Sequence, residues 1–280
     1  MLYHTIPATS CGLLQTLAGS KYLSSLVKAI DLTPLCTSSD ALISAFKIAE
    51  RRDGLNISPI IRKRLNHDLY FPAGTARWYN AHALLHLAML PNLETILYVC
   101  SKYRVDKRVA HYIRQYEPAL PRLREIRLVH DNIPTNSSRF PWIIAMLTPR
   151  IERVYGCSIG WNLPLVRLQP PEQFALQHVE LVDTSINHLE LDDMLSRCPD
   201  LRTLRIAWGI GSQTTKDPLE LNLLGDVLRK HKPKLTELAL DPKEDDCLTP
   251  YLFSHPIGSL RELKWLKKLV VPFDVLVREK

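Results

Sequence analysis

The sequence predicts an α/β solenoid of about eight strand–loop–helix units, its parallel strands lining one face. Three observations predict it. A short spacing, apolar-x-x-apolar-x-apolar, recurs from the first thirty residues to the last fifteen. Five of its copies are entered through a proline two residues ahead. The residues between copies carry helical periodicity. Glycine is scarce (10) and proline frequent (20), which suits many short elements with definite stops and argues against a glycine-looped, phosphate-cradling enzyme.

The eight copies are Val27/Ile30/Leu32, Leu93/Ile96/Tyr98, Leu123/Ile126/Leu128, Ile151/Val154/Gly156, Leu176/Val179/Leu181, Leu201/Leu204/Ile206, Leu235/Leu238/Leu240 and Leu266/Leu269/Val271. From the second onward they are spaced by 30, 28, 25, 25, 34 and 31 residues; the first gap, 66, has room for an extra unit or a helical insertion. Pro91, Pro121, Pro149, Pro199 and Pro233 stop the preceding helix, because proline has no N–H and disfavours helix in the residue before it. The last two apolar positions of each copy alternate with polar ones, the period of a strand with one buried face. One such strand cannot bury its own face, so successive copies must stack.

Between the copies, 75–90 places Trp78, Ala81, Leu84, Leu85 and Ala88 on one helical face, and 106–116 groups Val109, Tyr112 and Ile113. Residues 188–198 align Leu191, Met194 and Leu195. A further helix opens at Asp217-Pro218, with Leu221, Leu224 and Leu228 inward. Residues 10–26, 40–52 and 58–65 also read as helices, the last with Ser58 as N-cap and Pro59 in the first turn. The whole, 1–280, is expected to form a single domain, with an irregular helical part with the first strand at 10–90 and more regular repeats at 91–280. Strand, loop and helix at this period are the architecture of an irregular leucine-rich-repeat solenoid, or horseshoe. The Asn or Cys usual three residues after the last strand leucine is replaced here by Ser101, Asp131, Thr184 and Gly209, so unequal helices are expected.

The stretch from Leu195 to Ile206, LSRCPDLRTLRI, resembles the leucine-rich repeats of F-box proteins. Leu14 to Leu32 is similar to the segment that follows the F-box in the large fungal set of that family, and Pro256 to Leu276 to its closing motif. The resemblance implies the substrate-binding part of an F-box-type SCF ubiquitin ligase receptor. Its partner would be another protein, a ubiquitination substrate or a scaffold client. The F-box itself, a Leu-Pro-rich helical stretch, is not found in these residues. Contact with the cullin-ligase adaptor is therefore expected only if an F-box exists upstream.

Residues for chemistry are few. His82 and His86 share a helix face at metal-binding spacing, but Ala83 stands where a zinc protease needs Glu and no third ligand is apparent. Gly209-Ile210-Gly211-Ser212 lacks the third glycine of a dinucleotide turn and reads as a loop; the acids of 241–246 lack the glycine and terminal Glu of a calcium loop. No cofactor, metal or catalytic residue is expected, and the protein is read as a non-enzyme.

The net charge of +7 permits acidic partners, but most residues of the basic runs at 229–232, 62–64 and 102–127 fall on helical sides of different repeats. A basic nucleic-acid-binding solenoid is thus the weaker alternative to a protein-binding one, beside a scaffold or adaptor unrelated to ubiquitin. Six dispersed cysteines without a C-x-x-C pair read as reduced thiols of a cytoplasmic or nuclear protein, with no signal peptide and no membrane contact. Binding is expected on the concave strand face, where the residues flanking the inward apolar positions point out. The candidate contacts are Glu125, Arg127, Arg153, Tyr155, His178, Glu180, Thr203, Arg205 and Glu237.

Overall fold

The structure is a computed structural model that describes residues 5–7, 11–32, 39–53, 59–72, 75–100, 120–130, 150–158, 173–184, 186–209, 220–242, 255–272 and 276. It is a mixed α/β protein with two compact units, Met1–Arg127 with Ile143–Arg150, and Leu128–Trp142 with Ile151–Lys280. Parallel strands lying in chain order, the arrangement of a solenoid-like α/β fold, recur in both.

In the first unit, strands β1 (Thr5–Pro7), β2 (Ala29–Asp31) and β3 (Thr95–Cys100) pair side by side, and β4 (Glu125–His130) starts beside β3. Ile6 lies opposite Ile30, and Ile30 opposite Ile96. The stacking uses one device. The Lys28 carbonyl accepts from both Glu94 N (2.7 Å) and Thr95 N (3.0 Å), and the Glu94 carbonyl from Arg124 N (2.9 Å) and Glu125 N (3.0 Å).

β1 lies ahead of the eight copies read from the sequence. It is a further strand ahead of Val27, and its Pro7 suits the terminal position, since an edge strand can spare an N–H. The signal was present in sequence as Tyr3/Ile6/Ala8, 24 residues before Val27, but Ala8 is a weak apolar position.

The 66-residue gap holds helices α3 (Ser39–Asp53), α4 (Pro59–Asp68) and α5 (Ala76–Met89), while β2 still pairs directly with β3. It is a helical insertion. The helix expected over 10–26 is two, α1 (Cys11–Gly19) and α2 (Lys21–Leu26). Ser20 leaves helical geometry between them and caps α2, its Oγ accepting from Leu23 N at 3.2 Å.

Leu14, Ala18, Leu42, Phe46, Leu65, Leu69, Trp78, Leu84, Leu85 and Met89 pack together as the helical core. Thr75 caps α5 by accepting from Trp78 N, and Pro91 follows in a turn closed by Leu93 N to Leu90 O at 3.3 Å. The proline thus occupies the second position of a turn, where its fixed φ is already right. α5 is buried on nearly every side, including His82 and His86.

In the second unit β5 (Arg153–Cys157), β6 (His178–Thr184), β7 (Thr203–Trp208), β8 (Glu237–Pro242) and β9 (Lys268–Val270) are parallel and in order. Val154, Val179, Leu204, Leu238 and Leu269 stand opposite one another, as do Gly156, Leu181, Ile206 and Leu240. The alignment read from sequence holds at these strand positions. The carbonyl device recurs: Glu152 O accepts from Gln177 and His178, Gln177 O from Arg202 and Thr203, Arg202 O from Thr236 and Glu237, and Thr236 O from Lys267 and Lys268.

Behind β6 and β7 run α6 (His188–Arg197) and α7 (Leu221–His231). Asn187 and Glu190 form a capping box that starts α6, and Leu191, Met194 and Leu195 are its buried face. Cys198 caps its end, fully buried, and burial pushes its thiol up to about 12. α7 ends on Lys232 in the left-handed region (φ 44°) ahead of Pro233. A glycine inside α7 ordinarily costs about 1 kcal/mol, but a Cβ on Gly225 would fall 1.9 Å from the Ile257 carbonyl, so the close passage of that segment requires it. The helix expected over 106–116 lies outside the described residues.

Two expectations test this packing. Leu204 and Leu238 are fully buried, so Leu204→Asp or Leu238→Asp should cost at least about 3 kcal/mol and unfold the second unit in a urea titration. An unchanged midpoint would reject the register. His86 is held neutral by burial, its titration lowered from 6.5 to about 4. Between those values the unfolded chain carries the extra proton, so stability is complete above 6.5 and falls towards pH 4, by up to about 3 kcal/mol. His86→Leu should flatten that acid limb in unfolding midpoints measured across pH.

Candidate protein-binding face

The parallel register converts spacing along the chain into rows across the sheet. Arg153, His178, Thr203, Glu237 and Lys268 form one row on the outward face of the second unit, and Tyr155, Glu180, Arg205, Ala239 and Val270 the next. Cys157, Val182, Ala207 and Asp241 form a third. Each row crosses strands about 4.8 Å apart, so five residues span about 20 Å. On β5 to β8 the alternating positions are buried and these are open or half-open, as the strand period demands.

Seven of the nine candidate residues are brought together here: Arg153, Tyr155, His178, Glu180, Thr203, Arg205 and Glu237. Glu125 and Arg127 lie in the first unit, where the Arg127 guanidinium pairs with the Glu125 carboxylate.

The charges form a ladder across neighbouring strands. Arg205 donates from Nε (3.2 Å) and Nη2 (2.8 Å) to Glu237 Oε1, and its Nη1 stands 3.7 Å from Glu180 Oε2. Lys268 Nζ reaches the same Glu237 oxygen at 2.8 Å. The Lys268 ammonium and then the Arg205 guanidinium hold the Glu237 carboxyl below its ordinary range. The ladder's contribution is therefore present above the ordinary carboxylate range and lost as acid protonates Glu237. His178 Nδ1 lies 3.0 Å from Thr203 Oγ1, and partial burial, then Arg153 and Arg202, disfavour its protonation. Lys268, which sequence reasoning left out of the site, belongs to this ladder; its place one residue before Leu269, matching Glu237 before Leu238, was the available signal.

At the C-terminal ends of β5 to β7, Asp183 is the extra residue of a bulge and takes φ 54°, and Ser158 takes φ 56°. Ser158 Oγ donates to Asp183 Oδ2 at 2.6 Å. A Cβ on Gly209 would fall 1.4 Å from Asp183 Oδ1 and 2.7 Å from its Cα. Gly209 is thus needed for packing against the bulge.

The basic run of α7 is consumed by the protein itself. Arg229 donates to Asp226 and to the Ile257 and Ser259 carbonyls, Lys230 and His231 both hold Asp192, and Lys232 pairs with Glu262. In the first unit Arg62 pairs with Glu50. The histidine pair is structural as well: His82 stacks on Trp78 (5.5 Å between centroids), and His86 Nδ1 meets the His82 carbonyl at 2.9 Å. Among the described residues no group of three or more His, Cys, Asp or Glu could hold a metal, and no helix is long and apolar enough to cross a membrane.

The ladder alters what a charge reversal does. Arg205→Glu would set three carboxylates on adjacent strands, so it should cost about 1 kcal/mol or more, partly recovered in about 0.5 M salt. Arg205→Gln should cost less than about 1 kcal/mol, and thermal melts of the two variants make the comparison. Compared with known proteins, the chain matches no family model, and no curated protein matches it.

Proposed function

We propose that the chain is a leucine-rich-repeat protein-recognition module without chemistry of its own, and that its exposed strand face holds another protein. The observation that carries this reading is the set of three adjacent rows, two on β5 to β9 and one on β5 to β8, which offers a tyrosine, mixed charges and small apolar side chains on a backbone fixed by paired hydrogen bonds. Arginine and tyrosine are over-represented among residues that dominate binding energy. The internal pairing of the α7 cations speaks against nucleic acid, which needs basic side chains turned to phosphate. The resemblance of Leu195–Ile206, Leu14–Leu32 and Pro256–Leu276 to F-box leucine-rich-repeat proteins makes the held protein a ubiquitination substrate.

Affinity purification with quantitative mass spectrometry tests it, using wild type, Tyr155→Ala and Arg205→Gln. Lys63→Glu, an exposed position on α4, is the control. A client captured by wild type and control should fall by at least about fivefold in these two variants, with the melting temperature of Arg205→Gln close to wild type. Equal capture by all variants would place the site elsewhere. Co-purification of the cullin adaptor with the natural gene product separates the ligase reading from that of a scaffold.

A further inference from the structure

The second unit has an open end. The core-side position that is 0% exposed in β7 (Leu204) and β8 (Leu238) is 40% exposed at Leu269 in β9, the last strand of the order. Val270 beside it is 48% exposed, and Trp265, on the turn that enters β9, 62%. Among the described residues the backbone device ends here: Thr236 O receives Lys267 N and Lys268 N, and β9 is followed by no further strand.

The charge ladder ends at the same place. Across successive strands it reads Glu180, Arg205, Glu237, Lys268, alternating in sign, so its next rung is an acid. Lys264 and Lys267 add exposed positive charge to the same short segment. Two copies of β9 laid edge to edge would bring their lysines together, which disfavours a second copy.

We propose that β9 is a docking edge for an extended segment of a partner protein, which adds as a further parallel strand with an acidic residue opposite Lys268 and an apolar one opposite Leu269. Backbone hydrogen bonds would supply the attachment and these two side chains the selectivity, as in other strand-addition complexes. This edge is separate from the strand face proposed above and can succeed or fail independently of it.

The probe is a capped, fluorescein-labelled decapeptide with the sequence of Pro233–Pro242, whose Glu and Leu are already spaced for this register. Fluorescence anisotropy should show saturable binding with Kd below about 1 mM. A peptide with Lys in place of that Glu should bind at least about tenfold more weakly. Lys268→Glu should weaken the parent peptide similarly and restore the Lys-bearing one, a rescue that a folding defect could not produce. N-methylation of the peptide amides on the side facing β9 should abolish binding, whereas methylation on the opposite side should not. Absence of binding, indifference to both methylation patterns, or failure of the charge swap to rescue would overturn the proposal. Self-association in sedimentation that disappears in Lys268→Glu would also overturn it, by assigning the edge to a second copy.

Discussion

In a parallel sheet built from short strands, each step must fix its own alignment, because a slip of one residue turns every side chain to the wrong face. Here one carbonyl fixes it. At the residue after the first apolar position, Lys28, Glu94, Glu152, Gln177, Arg202 and Thr236 each present a carbonyl to two consecutive N–H groups of the next strand. The turn before the strand delivers the chain to that point, closed by Leu93 N to Leu90 O, Leu123 N to Leu120 O and Leu201 N to Cys198 O. A proline at the second position of each of these turns removes a donor that would otherwise need a partner. It also fixes φ near the value that the turn needs. The rest of the repeat depends on this junction.

With alignment set at the strand entrance, the return path is free to vary. Among the described residues, the chain makes three helices between β2 and β3 and still brings Ile96 opposite Ile30; between β6 and β7 it makes one. Buried apolar area is additive and does not demand a particular helix length, so a helical cluster around Trp78 and Phe46 serves as well as a short amphipathic turn. Asymmetry between regular strands and irregular helices follows from this division. Strands are constrained by hydrogen-bond geometry, helices only by the apolar surface that they must cover.

That division also decides what was legible in the sequence. Positions set by strand geometry, such as Leu204, Leu238 and the outward Arg205, could be read to the residue because period and spacing are local. β1 was missed because a three-residue strand with Ala8 as its last apolar position carries little signal. The split at Ser20 was missed because apolar periodicity continues across it, while the capping hydroxyl that breaks the helix is a single atom. What could not be read at all was non-local pairing. Nothing in the run Arg229–Lys232 says that Asp192 and Glu262, about thirty to forty residues away, will neutralise it. The i, i+4 histidines looked like half a metal site; whether they face water or a tryptophan depends on α5 being surrounded by other helices.

The pairing on the strand face bears on how such a surface can bind. Glu180, Arg205, Glu237 and Lys268 already satisfy one another, so a partner that covers them gains little from new ion pairs. It must also bear the cost of removing half-exposed charges from water. Net affinity then has to come from the side that carries no such cost, Tyr155 and the strip of Cys157, Val182 and Ala207, where apolar area can be buried against a partner. The ladder contributes differently. A fixed alternation of charge from strand to strand penalises any partner whose own charges fall out of step, since like charges brought together are unfavourable even when matched ones yield little. On this face, attraction and selection therefore belong to different side chains, and the hydrogen-bonded register that aligns the strands is what holds them side by side.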